Sequence, residues 1–139
     1  ISANLGEPVK PLAKIASGGE MSRVMLALKT ILSDGDDVDT LIFDEIDTGI
    51  GGEVALSVGL HLKKLSAKKQ ILCITHLATI AARALTHIKI EKINKENKTL
   101  TNARIISNEA REEEIARMLA GDEYSSASVA HARELLTSL

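Results

Sequence analysis

Two short apolar runs, "TLIFDE" (residues 40–45) and "KKQILCITH" (68–76), each close on polar residues, and a stretch of helical periodicity separates them. A short run that is apolar throughout reads as a strand covered on both faces, as in a parallel sheet. The intervening helix replaces a tight hairpin with a right-handed crossover, so the two runs confine the chain to a parallel strand–helix–strand unit. That helix is expected from Glu53 to about Leu65, with Val54, Val58, Leu62 and Leu65 turned inward. Another helix precedes the first strand. Its apolar residues Met21, Val24, Met25, Leu28, Ile31 and Leu32 recur at helical spacing, and the turn cluster "SDGDD" stops it near Ser33. Its start pairs Ser17 with Glu20 three positions on, the spacing of a capping box.

Around this core, residues 14–85, the pattern changes. Residues 1–13 carry Pro8 and Pro11 and read as an extended lead-in. A short helix, Leu77 to Ala84, follows the second strand. Alternation at Ile88 and Ile90, a polar break at "NKEN", and resumption at Ile105 and Ile106 predict a hairpin over 86–107. Residues 108–139 read as two helices. The first has Ile115, Met118 and Leu119 as its apolar positions and Gly121 as its stop; the second is capped at Ser125 or Ser126. A chain of 139 residues is long enough for one domain with a real core. Its net charge of −2 offers no electrostatic argument for nucleic acid, and Phe43 and Tyr124, its only aromatics, cannot build a base-stacking platform. No apolar run approaches a membrane span, and the start lacks the layout of a secretion signal. The lone Cys73 excludes an intramolecular disulfide and fits a reducing cytosol. The chain opens on Ile1 rather than Met, as a piece of a longer protein would.

Several residues carry chemistry. Gly18 and Gly19 stand at a helix N-terminus, where unpaired N–H groups and partial positive charge favour an anion; glycine lets it approach, and the Ser17 hydroxyl adds a donor. Taken alone, "SGGE" reads more simply as a cap that tolerates glycine. Asp44 and Glu45 close a strand at the sheet edge where ligands collect in open parallel sheets. An Asp there can hold Mg²⁺ and a Glu can accept a proton from water, while a pair of solvated carboxylates explains the spacing equally well. His76 ends the next strand and could donate to a phosphate oxygen, although a lone His is more often structural. His61, His87 and His131 have no such company, and Asp47 by itself is a turn-former.

The order of these signals is stronger than any one of them. Glycine-fronted helix, strand with "DE" and strand with "TH" together resemble the C-terminal half of an ABC-type ATPase head. "ASGGE" is similar to the signature motif, "TLIFDE" to Walker B, "IDTGIGG" to the D-loop, and His76 in "ITHL" to the switch histidine. "DEIDTGIGG", where transport ATPases carry a Pro-Thr-like segment, is similar to the chromosome-maintenance and DNA-repair branch. With "GEPVKPLAKIASGGEMSRVMLALKT", "THLATIAA" and "EEEIARMLAG", the chain resembles the bacterial RecN family of double-strand-break repair ATPases from about Gly6 to about Leu136. Two positions depart from the pattern: Thr40 replaces an apolar residue of Walker B, and Gly51 stands where the family's loop more often has Ser.

The resemblance implies an α/β, P-loop NTPase-like C-terminal half: a mostly parallel sheet flanked by helices, followed by a β-hairpin and helices. It implies ATP and Mg²⁺ as cofactors, Glu45 and His76 as catalytic residues, and Asp44 at the metal. Ser17, Gly18, Gly19 and Glu20 would face the γ-phosphate of ATP held by a second copy, with Asp47 positioning residues across that interface. The chain has no GxxxxGK[ST] loop, so the resemblance further implies a missing N-terminal ATPase lobe of the same protein. DNA as a partner and a location at the cytoplasmic nucleoid, away from membranes, follow from the resemblance alone. Two other readings compete: a nucleotide-binding subunit of an ABC transporter, and an interaction module that kept the fold and lost the chemistry.

Overall fold

The computed structural model describes residues 6, 8, 11, 17–32, 35, 37–95 and 98–138. Most of the lead-in expected over 1–13, and Ser33 at the expected end of the first helix, lie outside them. The chain divides into two compact units, Ile1–Thr75 and His76–Leu139.

The first unit runs α1 (Gly18–Leu32), β1 (Thr40–Phe43), α2 (Gly52–Ser66) and β2 (Gln70–Cys73). β1 and β2 pair in parallel, with Leu41 opposite Ile71 and Phe43 opposite Cys73, as a crossover through α2 demands. The Ile74 N–H donates to the Phe43 carbonyl (2.9 Å) and carries the pairing one residue further. Only one face of this pair is covered. Phe43 is buried, and Leu41, Ile71 and Cys73 are half-buried, whereas Ile42 is 69 % exposed and its neighbours Leu72 and Ile74 are exposed too. The expectation of strands covered on both faces is thus corrected.

The helices of this unit also shift the expected stripes. In α2 the buried positions are Ala55, Val58, Gly59, Leu62 and Leu65, and Val54 is exposed. Val54 precedes Ala55 by about 100° of helical rotation, which takes it off the stripe that Ala55, Leu62 and Leu65 define. In α1 the buried residues are Gly19 and Leu26, while Met25, Leu28, Ile31 and Leu32 are exposed. The apolar stripe read there is real as a sequence pattern, but among the described residues its sheet has only two strands to receive it. An open groove of about 210 Å³ between Met21, Met25 and residues Leu41 to Phe43 marks the resulting gap.

The second unit holds a single-turn helix, α3 (Ala78–Ala81), the strands β3 (His87–Lys95) and β4 (Lys98–Ile106), and the helices α4 (Asn108–Ala120) and α5 (Ser126–Thr137). α3 is shorter than the helix expected over 77–84. The hairpin forms as expected, antiparallel from His87 opposite Ile106 to Lys95 opposite Lys98, and runs through the Asn94 of the expected polar break. Among the described residues, parallel pairing therefore describes one of two small sheets, and the fold is mixed α/β. α4 ends at Gly121, whose φ of +87° suits glycine, and Ser125 caps α5 in a box with Ser128. Ala78, Ala81, Ala82, Ile115, Ala116 and Ala132 form the core of this unit. Small residues from three helices close in around fully buried Ile115, whose side chain contributes about 2 kcal/mol.

Candidate functional site

In the first unit the start of α1 and the loop leaving β1 meet. The Ser17 N–H donates to Glu20 Oε2 (2.9 Å) and the Glu20 N–H donates to Ser17 Oγ (3.3 Å), so the capping box forms as read. The Glu20 carboxylate thus serves its own helix. Ser17 and Gly18 are exposed and Gly19 is buried. A Cβ on Gly18 would overlap the Glu45 carboxylate oxygen Oε2, and one on Gly19 would lie 2.7 Å from the Glu45 carbonyl oxygen and 3.0 Å from Thr48 Cβ. Gly19 therefore has a reason within its own chain: the backbone of the loop after β1 packs on the helix start without room for a methyl group, whereas at Gly18 only the movable end of the Glu45 side chain stands in the way.

That loop is tightly specified. Ile46 is fully buried and anchors it, leaving Asp44 and Glu45 exposed on one side and Asp47 buried at 4 % exposure on the other. Glu45 sits at φ +56°, a left-handed conformation that non-glycine residues rarely adopt and that recurs at functional sites. The Asp44 Oδ1 accepts the Glu45 N–H (2.9 Å), the Thr48 N–H donates to the Glu45 carbonyl (3.0 Å), and Ser22 Oγ donates to the Asp44 carbonyl (2.8 Å). Arg23 Nη1 donates to the carbonyls of Ile46 (3.1 Å) and Thr48 (2.9 Å). Asp47 Oδ2 accepts from Thr75 Oγ1 at 2.5 Å, so this carboxylate is held inside its own unit.

Of the residues read from the sequence, Ser17, Gly18, Gly19, Glu20, Asp44, Glu45 and Asp47 come together in this unit. His76 is exposed and opens the second unit, directly after Thr75. Ser22, Arg23, Ile46 and Thr75 escaped the sequence reading. The available signal was Arg23, a cation near the start of a helix whose following residues are apolar. Burial, with the carboxylates of Asp47 and Asp44, pushes the Cys73 thiol up to about 12, which keeps it protonated near neutral pH.

The donor set fits one metal contact rather than a cage. Among the described residues no three His, Cys, Asp or Glu side chains gather in a way that could hold an ion. Asp44, however, is exposed at a strand end with one oxygen taken by the Glu45 N–H, leaving the other for a hard cation. Mg²⁺ is commonly held this way, through one or two carboxylates plus water and phosphate oxygens.

No family model matches the chain. Curated relatives do. The chain is 62 % identical over 136 residues to DNA repair protein RecN of Treponema pallidum, covering 98 % of this chain and 24 % of that protein. It is 49 % identical to DNA repair protein RecN of Bacillus subtilis, with the same two coverages. Against DNA repair protein RecN of Deinococcus radiodurans it is 50 % identical over 97 % of this chain and 23 % of the relative. The chain thus spans about a quarter of the length of the relatives it matches, and over that span it belongs to the RecN family.

Proposed function

We propose that the chain is the C-terminal half of a P-loop NTPase-like, ABC-type head in an ATP-hydrolysing DNA repair protein. The observation that carries this reading is the junction of the Ser17–Gly19 helix start with the Asp44–Glu45 loop at the carboxyl end of a parallel strand pair. Ligands of open α/β sheets gather at that edge.

In this reading Glu45 accepts a proton from the attacking water, which its exposed carboxylate and fixed backbone suit. Asp44 offers its free carboxylate oxygen to Mg²⁺, which supplies charge neutralisation at the phosphates when bound. His76 donates a hydrogen bond to the γ-phosphate. Ser17 and Gly18, exposed on the outer side of the helix start, present a hydroxyl and N–H groups to the nucleotide of a second copy. ATP would then draw two heads together by favouring the closed state, and its hydrolysis would release them. The phosphate cradle and its lysine come from the rest of the polypeptide, since this chain has no GxxxxGK[ST]. DNA is the partner that the relatives' name implies, and the cytoplasmic nucleoid is the matching location. Among the described residues no helix is long and apolar enough to cross a membrane. The transporter alternative finds no support, because the matched relatives bear a DNA-repair name.

The test is Glu45→Gln in the full-length protein. ATP affinity stays near wild type, while single-turnover hydrolysis falls about 100-fold or more, as loss of a general base requires. Unchanged turnover removes Glu45 from this role.

A further inference from the structure

The loop that carries Glu45 is stabilised twice over. It has its own turn, closed by the Thr48 N–H on the Glu45 carbonyl, and a buried anchor in Ile46. Arg23 adds two hydrogen bonds from a single guanidinium nitrogen to the carbonyls of Ile46 and Thr48. A charged donor on a neutral carbonyl forms one of the stronger protein hydrogen bonds, and two from one nitrogen fix the separation of their acceptors. Those acceptors bracket Asp47 and immediately follow Glu45, whose left-handed φ persists only while its surroundings over-determine it. Arg23 also lies on the first turns of α1, the helix whose Gly19 abuts the Glu45 carbonyl.

We infer that Arg23 is a positioning residue: it bolts the start of α1 to the Glu45–Thr48 turn and so holds the Glu45 carboxylate in its working direction. This rests on the ATPase reading given above. Arg23 touches no reacting atom, and its effect on chemistry passes through Glu45. A ligand that contacts Ser17 and Gly18 accordingly meets a helix already fastened to the turn that bears the base.

The experiment compares full-length wild type, R23A, R23K, E45Q, R23A/E45Q and R23K/E45Q by single-turnover ATP hydrolysis, ATP affinity and thermal melting. R23A slows hydrolysis about 100-fold, the scale of a misplaced catalytic group, while ATP affinity stays within about threefold. R23K restores part of the rate, because an ammonium can reach one of the two carbonyls. In the E45Q background neither Arg23 change slows hydrolysis further, since the group it positions is gone. Wild-type rates in R23A, or losses that multiply with E45Q, overturn the inference. If R23A melts below the assay temperature, the same cycle is read with R23K. A wild-type protein without ATP turnover sinks the ATPase reading instead. Arg23 is then judged by amide exchange: R23A must raise it at least about tenfold at residues 45–48 and not at Ala78–Ala82, and uniform or unchanged exchange overturns the positioning role.

Discussion

Gly18 and Gly19 look equivalent in the sequence and differ in the structure. The clash facing a Gly18 side chain is with the far end of the Glu45 side chain, which can swing away. The clash facing a Gly19 side chain is with a backbone carbonyl, which cannot. Overpacking costs about 1–3 kcal/mol and alanine returns about 1 kcal/mol of helix propensity, so G19A should lower stability by up to about 2 kcal/mol and G18A by less than about 0.5 kcal/mol. Chemical denaturation of both variants checks the contrast, and equal effects would contradict the assigned packing. One consequence concerns G19D, the obvious probe of the proposed contact with a second copy: it would disturb the Glu45 turn of its own chain. Ser17, exposed at the cap, is the cleaner probe. The two-glycine motif was legible because backbone approach needs glycine, but what approaches was not, since the loop that fills the space lies far along the chain.

At the scale of elements, the sequence showed where helices and strands lie better than which way they face. The capping box at Ser17, the stop at Gly121 and the existence of the hairpin follow from local chemistry and came out as read. The stripe of α1 is not buried as a periodic pattern suggests, because burial depends on partners and Met25, Leu28 and Ile31 stay exposed beside a sheet of only two described strands. α4 shows the reverse. Glu114 lies amid charged residues of the sequence yet is 6 % exposed, meeting Lys89 Nζ at 2.6 Å and Arg117 Nη2 at 2.7 Å. Burial pushes its carboxyl up, but the hydrogen bonds from Arg117 and Lys89 outweigh this and hold it below the ordinary value of 4.5. Its folded pKa is depressed, so its contribution is complete above the unfolded value and fades as pH falls through the folded one. Glu114→Gln should cost about 2 kcal/mol at neutral pH, with the gap to wild type closing below about pH 4. Urea midpoints measured across that range decide it; a gap independent of pH would contradict the assigned pairing.

For the whole molecule, the parallel strand pair and the hairpin each leave apolar side chains uncovered: Ile42, Leu72 and Ile74 in one unit, Ile88, Ile90 and Ile105 in the other. Exposed apolar patches on this scale drive association. The 139-residue chain purified alone should sediment as concentration-dependent oligomers, bind a hydrophobic dye and turn over no ATP. A monodisperse, dye-silent monomer, or metal-dependent turnover, would contradict this. The hairpin's polarity carries a practical lesson. His87, Lys89 and Glu91 are half-buried, with Lys89 paired to Glu114 of α4, while alternate positions Ile88 and Ile90 face outward. Anyone re-engineering this segment for expression would have to reverse the usual recipe. The isoleucines are the positions to exchange for threonine or lysine, and the ionic side chains between them are the ones to leave untouched.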